Sequence, residues 1–286
     1  MAAADEVVMT AYAKVNLTLE VLRKRPDGYH EIRSVMQRIS LADTLTIASS
    51  DALSLTCSDA RLEGPDNLVW RAALLLRKEC GVGRGATLRL EKRIPVAAGL
   101  GGGSADCAAA LEGLNGLWAL GLQRERLRLL GAQLGSDVPF FLLESPCGLA
   151  EGRGEALFPL APLPERWLVL AKVEEGISAG AVYAAFPRHL WTDGSRTIAW
   201  LREARVGWGV PAPFNALEPV AAQLVPAVTQ ARQALIAAGA GVPVMSGSGS
   251  TYFALCDTEA EATAARARLD SMRWGGRSWV ARFVTL

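Results

Sequence analysis

The feature that most constrains this chain is a glycine-rich stretch from residue 95 to residue 106. It reads PVAAGLGGGSAD, with glycines at 99 and at 101–103. Glycine has no Cβ, so consecutive peptide N–H groups can turn toward one anion. Ser104 is a good N-cap, and the helix start beyond it would add unpaired N–H groups and partial positive charge. The stretch therefore predicts a phosphate-binding loop that leads into a helix, and it disfavours a flexible linker.

The residues on both sides of the loop support this interpretation. Ala86–Glu91 alternates apolar and polar residues, which is typical of a half-buried strand. After the loop, apolar side chains recur at steps of four, three and four, at Cys107, Leu111, Leu114 and Trp118. This spacing predicts a helix, and Gly121 is its expected end. The predicted order is strand, glycine loop, helix.

Neither of the two common nucleotide-binding loops fits. A Walker A loop ends in glycine, lysine and then serine or threonine, and no lysine follows these glycines. A Rossmann loop has glycine at its sixth position and an acidic residue about twenty positions further on. Counted from Gly99, the sixth position is Ser104, and the region near Leu120 holds no acidic strand end. The loop therefore belongs to another class.

Charge and cysteine usage narrow the functional class. A net charge of +1 leaves no basic field for a nucleic-acid backbone. No apolar run is long enough to span a bilayer, and the N-terminal residues lack the apolar core of a signal peptide. The five cysteines are scattered without a C-x-x-C pair, which favours reduced thiols, and two histidines exclude a His-rich metal site. Together these observations predict a cytoplasmic protein with no membrane and no nucleic-acid partner.

The remaining patterns predict a mixture of strands and helices. Strands are expected over 7–22, 32–39, 43–47, 167–173, 252–256 and 278–284. Helices are expected between Asn67 and Gly81 and over 123–134, 216–238 and 259–272. The segment 187–213, with Trp191, Trp200 and Trp208, yields no clear prediction. A chain of 286 residues accommodates two domains, which we expect at 1–160 and 161–286.

Three sites in the sequence carry polar residues that each allow two interpretations. Lys14 and Asn16 share one face of the first strand, either as site residues or as solvated residues of an edge strand. Tyr29 and His30 follow a Pro-Asp-Gly turn, where a single histidine is more often at the surface than a ligand. Asp137 follows a helix-breaking Gly-Ser pair, and a helix cap is favoured over a carboxylate presented for chemistry.

Taken in order, the motifs resemble those of the GHMP kinase superfamily. Its phosphate loop has the pattern Pro-x-x-x-Gly-Leu-Gly-[GS]-[GS]-Ser, which Pro95–Ser104 match throughout. Within the superfamily the chain is similar to the kinases that act on 4-diphosphocytidyl-2-C-methyl-D-erythritol in the non-mevalonate isoprenoid pathway. The motifs that carry this resemblance are AKVNL at 13–17, RPDGYHE at 25–31, LGSDVPFF at 134–141, EGRGE at 151–155 and MSGSGST at 245–251.

The resemblance implies a fold and an activity. The fold would be α+β in two domains, an N-terminal domain like one found in a ribosomal protein and a C-terminal α/β sandwich. The active site would lie in the cleft between them. The activity would be transfer of phosphate from ATP, with Mg²⁺, to the 2-hydroxyl of a small-molecule substrate that carries a cytidine diphosphate group. The enzyme would be a monomer or a weak homodimer.

The resemblance also implies a role for each matched residue. Lys14 and Asp137 would be catalytic, with Asp137 as general base or as the group that orients the hydroxyl, and Lys14 contacting both. At the cytidine diphosphate end, Asn16, Tyr29 and His30 would bind substrate, with Tyr183 as a second stacking aromatic. Ser104 would lie near the magnesium ion. ATP would be bound by Pro95, Val96, Ala97, Ala98, Gly99, Leu100, Gly101, Gly102, Gly103, Ser104 and Ala105, and near the adenine by Asn67 and Leu68.

Two departures from the family pattern and two alternative functions remain. Ala179 stands where the family often has threonine, and Ala216 where it usually has aspartate. A GHMP kinase for mevalonate or homoserine is one alternative, but those substrates carry no nucleobase for an aromatic turn to stack on. A non-catalytic nucleotide-binding module is the other, and the low net charge and the presence of Lys14 and Asp137 argue against it.

Overall fold

The computed structural model describes residues 6–206 and 209–285 as two β-sheets with helices. Its strands are β1 (Glu6–Asn16), β2 (Thr18–Lys24), β3 (His30–Ser50), β4 (Leu53–Cys57), β5 (Gly85–Glu91), β6 (Cys147–Gly152), β7 (Ala156–Pro159), β8 (Trp167–Val173), β9 (Phe214–Asn215), β10 (Val244–Met245), β11 (Thr251–Cys256) and β12 (Gly276–Arg282). Its α-helices are α1 (Leu68–Cys80), α2 (Gly102–Leu117), α3 (Arg124–Leu134), α4 (Val138–Phe141), α5 (Ala179–Ala185), α6 (Ser195–Val206), α7 (Glu218–Leu224), α8 (Val228–Ala237) and α9 (Glu259–Ser271).

The chain forms two compact units whose segments interleave along the sequence. The first unit comprises the chain through Ala13 together with Ala42–Pro95 and Gly101–Glu144. The second comprises Lys14–Leu41, Val96–Leu100 and the chain from Ser145 onward. Strands β1 and β3 and the glycine loop therefore contribute residues to both units. The division at residue 160 stays a prediction.

In the first unit, a sheet packs against helices. β4 runs parallel to β5, and β5 runs antiparallel to the second half of β3, so Leu88 lies opposite both Leu55 and Ile47. Ile47 and Leu88 are fully buried. A Cβ on Gly113 of α2 would stand 2.4 Å from the Cδ1 atom of Ile47. This glycine, which lowers helix propensity, therefore allows α2 to pack closely on the sheet.

The bounds of α2 correct two predictions. The helix begins at Gly102, with Gly101 as the N-cap residue at φ 71°, so Ser104 lies in the first turn and is not the cap. A left-handed residue is most easily glycine, and it starts the helix earlier than the serine would. The helix ends at Leu117 rather than near Gly121. Its C-cap residue, Trp118, is buried and its indole N–H donates to the Gly85 carbonyl at 3.2 Å.

The second unit contains a four-stranded antiparallel sheet and part of the larger one. The order of the small sheet is β10-β11-β8-β12, with Leu170 of β8 opposite Phe253 on one side and Trp279 on the other. Helices α8 and α9 pack on β8. In the larger sheet, the first half of β3 pairs antiparallel with β2 and β6, and β2 pairs parallel with β9. A single apolar core joins Leu19 and Val21 of β2 to the helices of this unit.

Several element boundaries differ from the predictions. The helix predicted over 216–238 is two helices, α7 and α8, separated at Val225 and Pro226. Proline has no N–H and disfavours the helical region for the residue before it, and Val225 has ψ 84°. The two strands predicted over 32–47 are one strand, β3, and the strand over 7–22 is two. Segment 187–213 contains α6, and Trp208 lies outside the described residues.

The helix caps around α1 agree with prediction. Asn67 caps its start, because the side chain accepts a hydrogen bond from the Val69 N–H at 2.9 Å, and Gly81 ends it at φ 64°. None of the helices that the structure describes has the length and apolar character that a membrane crossing requires.

Candidate active site

The end of β1 buries a lysine beside an asparagine. Lys14 and Asn16 are each 3% exposed, and the Lys14 ammonium donates to the Asn16 Oδ1 atom at 2.6 Å. It also donates to the carbonyl of Gly99 at 3.0 Å. A buried ammonium costs much free energy unless it is well hydrogen-bonded, so its presence needs a reason beyond packing. The interpretation of these two residues as solvated side chains of an edge strand is wrong.

Residues 96–100 of the glycine loop are held tightly within the second unit. Gly99 has φ 72°, and its carbonyl accepts from Lys14 and from the Ser246 hydroxyl at 2.9 Å. A Cβ on Gly99 would stand 2.0 Å from the Ser246 carbonyl oxygen. Backbone groups therefore approach here as closely as only glycine allows. The loop conformation and the position of the Lys14 ammonium are coupled through one carbonyl.

A second glycine–serine loop, 245–251, completes this cluster. A Cβ on Gly247, at φ 56°, would lie 3.3 Å from the Lys14 Nζ atom and 3.4 Å from the Asn16 Oδ1 atom. Asn215 holds the loop, because its Nδ2 atom donates to the carbonyls of Met245 at 2.8 Å and Gly247 at 2.7 Å. The sequence marks this loop as a motif, but only the fold brings it to Lys14.

In the first unit, the glycine loop leads into the N-terminus of α2. The first helical residues, Gly102 to Ser104, have peptide N–H groups without partners in the helix, which is the arrangement that binds anions. The Ser104 hydroxyl lies beside Gly135, 3.6 Å from where a Cβ on that glycine would stand. Ser104 is thus next to the segment that carries Asp137.

Asp137 does not cap the helix that follows it. It occupies the N-cap position of the four-residue helix α4, but its side chain makes no capping hydrogen bond. Its backbone is helical, with φ −85° and ψ −13°, whereas an N-cap residue is usually extended. The favoured cap interpretation is therefore wrong. The half-buried carboxylate is not used by α4.

Three buried ionisable side chains, which were not predicted from the sequence, connect the segments on either side of the glycine loop. The Lys92 ammonium contacts the carboxylates of Asp43 and, at 2.6 Å, Asp106. Asp43 also accepts from the backbone N–H groups of Arg93 and Ile94. The cluster therefore joins the chain before the loop to the helix after it. No local pattern marks it, because Asp43 is about fifty residues from its partners.

Two carboxylates share one ammonium here, so a proton is favoured on one of them. Asp43 accepts from Lys92 and two peptide N–H groups, while Asp106 accepts from Lys92 only and its Oδ1 atom has no described hydrogen-bond partner. The less hydrogen-bonded carboxylate is the one that takes the proton. Accordingly, burial raises the pKa of Asp106 to about 7, against the opposing charge of Lys92.

Because the pKa of Asp106 is raised, the stability difference between the original chain and an Asp106→Asn variant should depend on pH. The folded state keeps a proton on Asp106 that the unfolded chain releases, so this contribution to stability is lost as pH rises from about 4 to about 7. Asp106→Asn removes the ionisation and keeps an acceptor for Lys92. We expect its melting temperature, relative to the original chain, to increase by several degrees between pH 5 and pH 8, measured by thermal unfolding.

The matched control is Asp59→Asn. Asp59 also binds a cation, Arg61, but at the surface, and this hydrogen bond lowers the pKa of its carboxyl. Its ionisation is complete in both states above pH 5, so its difference from the original chain should stay flat over the same range. Parallel curves for Asp106→Asn and the original chain would contradict the assignment of the proton to Asp106.

Aromatic residues form a second part of the candidate site. His30 is buried, and its ring stacks on Tyr183 with centroids 5.6 Å apart and planes 25° apart. The surface interpretation of His30 is therefore wrong. Burial, with a smaller effect of Lys24, lowers the pKa of His30, so its imidazole is neutral near pH 7 and offers one donor and one acceptor.

Tyr29 directly precedes His30 in the sequence, and it is largely exposed. Tyr29 is 53% exposed, and the Arg153 guanidinium lies over its ring, 4.8 Å from the ring centroid. Its backbone N–H donates to the Asp27 carboxylate at 3.1 Å, which fixes the turn. An exposed aromatic face suits a planar ring, and the neighbouring guanidinium suits an anionic group. Arg153 was visible only as part of a family motif, without a role.

The predicted adenine residues have structural uses in the first unit. Both polar atoms of the Asn67 amide are occupied, since Oδ1 caps α1 and Nδ2 donates to the Leu62 carbonyl at 2.9 Å. Leu68 is the first residue of α1, and its Cδ1 atom lies 3.8 Å from where a Cβ on Gly103 would stand. This pair is therefore next to the start of α2, and its contact with a nucleotide stays a prediction.

Comparison with known proteins identifies relatives over most of the chain. A family model for the GHMP kinases N terminal domain matches residues 67–145, and one for the GHMP kinases C terminal matches residues 197–272. A 4-diphosphocytidyl-2-C-methyl-D-erythritol kinase of Geobacter sp. (strain M21) is 43% identical over 96% of this chain and 97% of its own length. Its counterpart in Pelotomaculum thermopropionicum is 47% identical over 87% of this chain and 88% of its own length.

A solved structure agrees with these relatives. The crystal structure of a 4-(cytidine 5'-diphospho)-2C-methyl-D-erythritol kinase superposes with a TM-score of 0.83 at 35% identity. The match covers 98% of this chain and 100% of that one. Sequence and fold thus indicate the same group of proteins.

Proposed function

This chain belongs to the 4-diphosphocytidyl-2-C-methyl-D-erythritol kinase family of the GHMP kinases, and on that premise we propose how its residues carry out the reaction. It is an ATP-dependent phosphotransferase with the GHMP kinase fold. Its acceptor is the 2-hydroxyl of 4-diphosphocytidyl-2-C-methyl-D-erythritol, an isoprenoid precursor. One observation carries the mechanism: the buried Lys14 ammonium is bonded directly to the carbonyl of Gly99 in the glycine loop.

Lys14 supplies positive charge where the phosphoryl group is transferred. Phosphoryl transfer requires mainly positioning and charge stabilisation, and a desolvated ammonium is effective at both. Asn16 and the Gly99 carbonyl hold the ammonium at 2.6 and 3.0 Å, so protein groups fix its position. Asp137 takes the proton of the substrate hydroxyl or orients that hydroxyl.

The glycine loop binds the ATP phosphates through backbone N–H groups. Residues 96–104 provide these donors, because Pro95 has no N–H and the Ala105 N–H donates to the Gly101 carbonyl. The N-terminus of α2 adds partial positive charge. Mg²⁺ would be held mainly by the nucleotide phosphates, because it usually binds substrate phosphates with only one or two carboxylates. Within the described ranges no group of three His, Cys, Asp or Glu could hold a metal. Ser104 is the residue that would lie near the ion, whose positive charge would offset the negative charge of the phosphates.

The aromatic residues bind the cytidine end of the substrate. Tyr29 and Tyr183 provide ring faces on which a nucleobase stacks, and the neutral His30 imidazole reads its edge. Asn16, whose Oδ1 atom accepts from Lys14, also binds the substrate. This arrangement distinguishes the substrate from mevalonate and homoserine, which have no base, and the relatives of this chain do not favour those acceptors.

The test of the function is an ADP-release assay with three acceptors. We expect turnover with 4-diphosphocytidyl-2-C-methyl-D-erythritol at least a hundredfold faster than with mevalonate or homoserine, by order of magnitude, because only the first offers a base to bind. Equal rates with all three acceptors would contradict the proposed substrate specificity. No ADP release with any of them would contradict the proposed kinase activity.

The same assay tests the cytidine site. Tyr29→Ala should raise the KM for the cytidine substrate about tenfold or more and leave the KM for ATP nearly unchanged, because stacking on one aromatic contributes about 1–3 kcal/mol. Phe158→Ala is the matched control, since Phe158 is 51% exposed and lies on β7. An equal rise of both KM values in Tyr29→Ala would exclude a specific role in binding the base.

The cellular location, the oligomeric state and the partners of the enzyme are also part of this proposal. We place the enzyme in the cytoplasm, where its five free cysteines stay reduced. We propose that it acts as a monomer or a weak homodimer, with a small-molecule substrate and without a nucleic-acid partner, in keeping with its net charge of +1.

A further inference from the structure

We infer that Ser34 is a positioning residue for Lys14, because it sets the orientation of the Asn16 amide that holds the ammonium. Ser34 lies on β3, fully buried, in the same unit as Lys14 and Asn16. Its role in turnover rests on the proposed function of Lys14, but its contacts do not.

The orientation of the amide follows from which atoms can donate. A lysine ammonium has donors only, so it requires the carbonyl oxygen of the Asn16 amide, and the two atoms are 2.6 Å apart. The Nδ2 atom of Asn16 must then face away from Lys14 and find an acceptor. It donates to the Ser34 Oγ atom at 2.7 Å.

Ser34 accepts this bond because its own proton is used elsewhere. The hydroxyl has one hydrogen, which it donates to the Thr18 carbonyl at 2.5 Å. A lone pair of the oxygen is therefore what the Asn16 amide meets. The chain of hydrogen bonds runs in one direction, from Lys14 to Asn16 and from Asn16 through Ser34 to the Thr18 carbonyl.

Because these side chains are buried, the loss of one hydrogen-bond partner affects the others. Lys14 and Asn16 are each 3% exposed and Ser34 is fully buried, so bulk water cannot readily replace a missing partner. Without the Ser34 hydroxyl, Nδ2 would lose this acceptor, and the amide orientation that presents Oδ1 to the ammonium would be fixed less strongly. Lys14 would then be held less firmly for phosphoryl transfer.

A neighbouring hydroxyl provides the matched control. Thr197 of α6 is also fully buried, and its hydroxyl donates to the Thr18 hydroxyl at 3.2 Å. Asn16 is not among its described hydrogen-bond partners. Thr197→Val removes a hydroxyl from the same polar region with little change in shape. It should cost stability comparable to Ser34→Ala and leave Lys14 in place.

The kinetic test is a double-mutant cycle. We expect Ser34→Ala to lower kcat about tenfold with the KM for ATP unchanged, Ser34→Thr to restore most of the rate, and Thr197→Val to keep the original rate. In an Asn16→Ala background, Ser34→Ala should have no further effect, because its partner is gone. The same tenfold loss in both backgrounds would show a merely structural role and overturn the inference.

A second readout needs no substrate. Acetylation of Lys14 by acetic anhydride, followed by peptide mass spectrometry, reports how firmly the ammonium is held. The rate should rise several-fold in Ser34→Ala and in Asn16→Ala and stay unchanged in Thr197→Val. Unchanged acetylation in Ser34→Ala would overturn the inference. If the original chain shows no turnover, the proposed function fails, and acetylation still decides the role of Ser34.

Discussion

Replacing Asp137 with asparagine is expected to lower kcat by about a thousandfold while ATP still binds. The substitution keeps the shape of the side chain and removes its negative charge and its ability to take a proton. It should not unfold α4, because the Asp137 side chain makes no capping bond to that helix. The loss therefore falls on the chemical step rather than on the fold.

The measurement separates these effects. ADP release gives kcat, calorimetry with a non-hydrolysable ATP analogue gives the Kd, and thermal unfolding gives the melting temperature. Asp257→Asn is the control, because Asp257 is an exposed carboxylate that directly precedes the N-cap residue of α9. A rate near that of the original chain in Asp137→Asn would remove this residue from the mechanism, whereas loss of nucleotide binding would assign it to the ATP site.

Replacing Gly99 with alanine is expected to abolish most activity and to lower the melting temperature. The residue has φ 72°, which alone costs an L-amino acid roughly 1 kcal/mol. The new methyl group would also stand 2.0 Å from the Ser246 carbonyl oxygen and 3.0 Å from that of Gly249. Both neighbours are backbone atoms, so the two loops must separate, and the Gly99 carbonyl can no longer hold Lys14.

We therefore expect kcat/KM to fall by more than about a hundredfold, which is a loss of about 3 kcal/mol of transition-state stabilisation. Gly116→Ala is the matched control. Gly116 lies in the last turn of α2, with no atom within 4 Å of the added Cβ. Because alanine favours helix, this variant should be as stable as the original chain or more stable. Equal behaviour of the two variants would contradict the close contact between the loops.

The amino-acid sequence was sufficient for features that depend on local backbone constraints. The order of strand, glycine loop and α2 follows from side-chain spacing and from glycines without Cβ atoms, and the caps of α1 at Asn67 and Gly81 follow from local hydrogen bonding and a left-handed residue. The family motifs added the candidate residues and their roles. Pro226 was also a local signal for the break between α7 and α8, although one helix was predicted over 216–238.

Only the tertiary structure decided how distant residues combine. Lys14 bonds to Gly99, the 245–251 loop approaches Lys14, and His30 stacks on Tyr183. Each of these contacts joins segments that are far apart in the chain. The cluster of Asp43, Lys92 and Asp106 is of the same kind. Spacing along a chain reports which face of one element a side chain occupies. The free energy of a buried charge depends on partners that other elements bring, and no local pattern contains them.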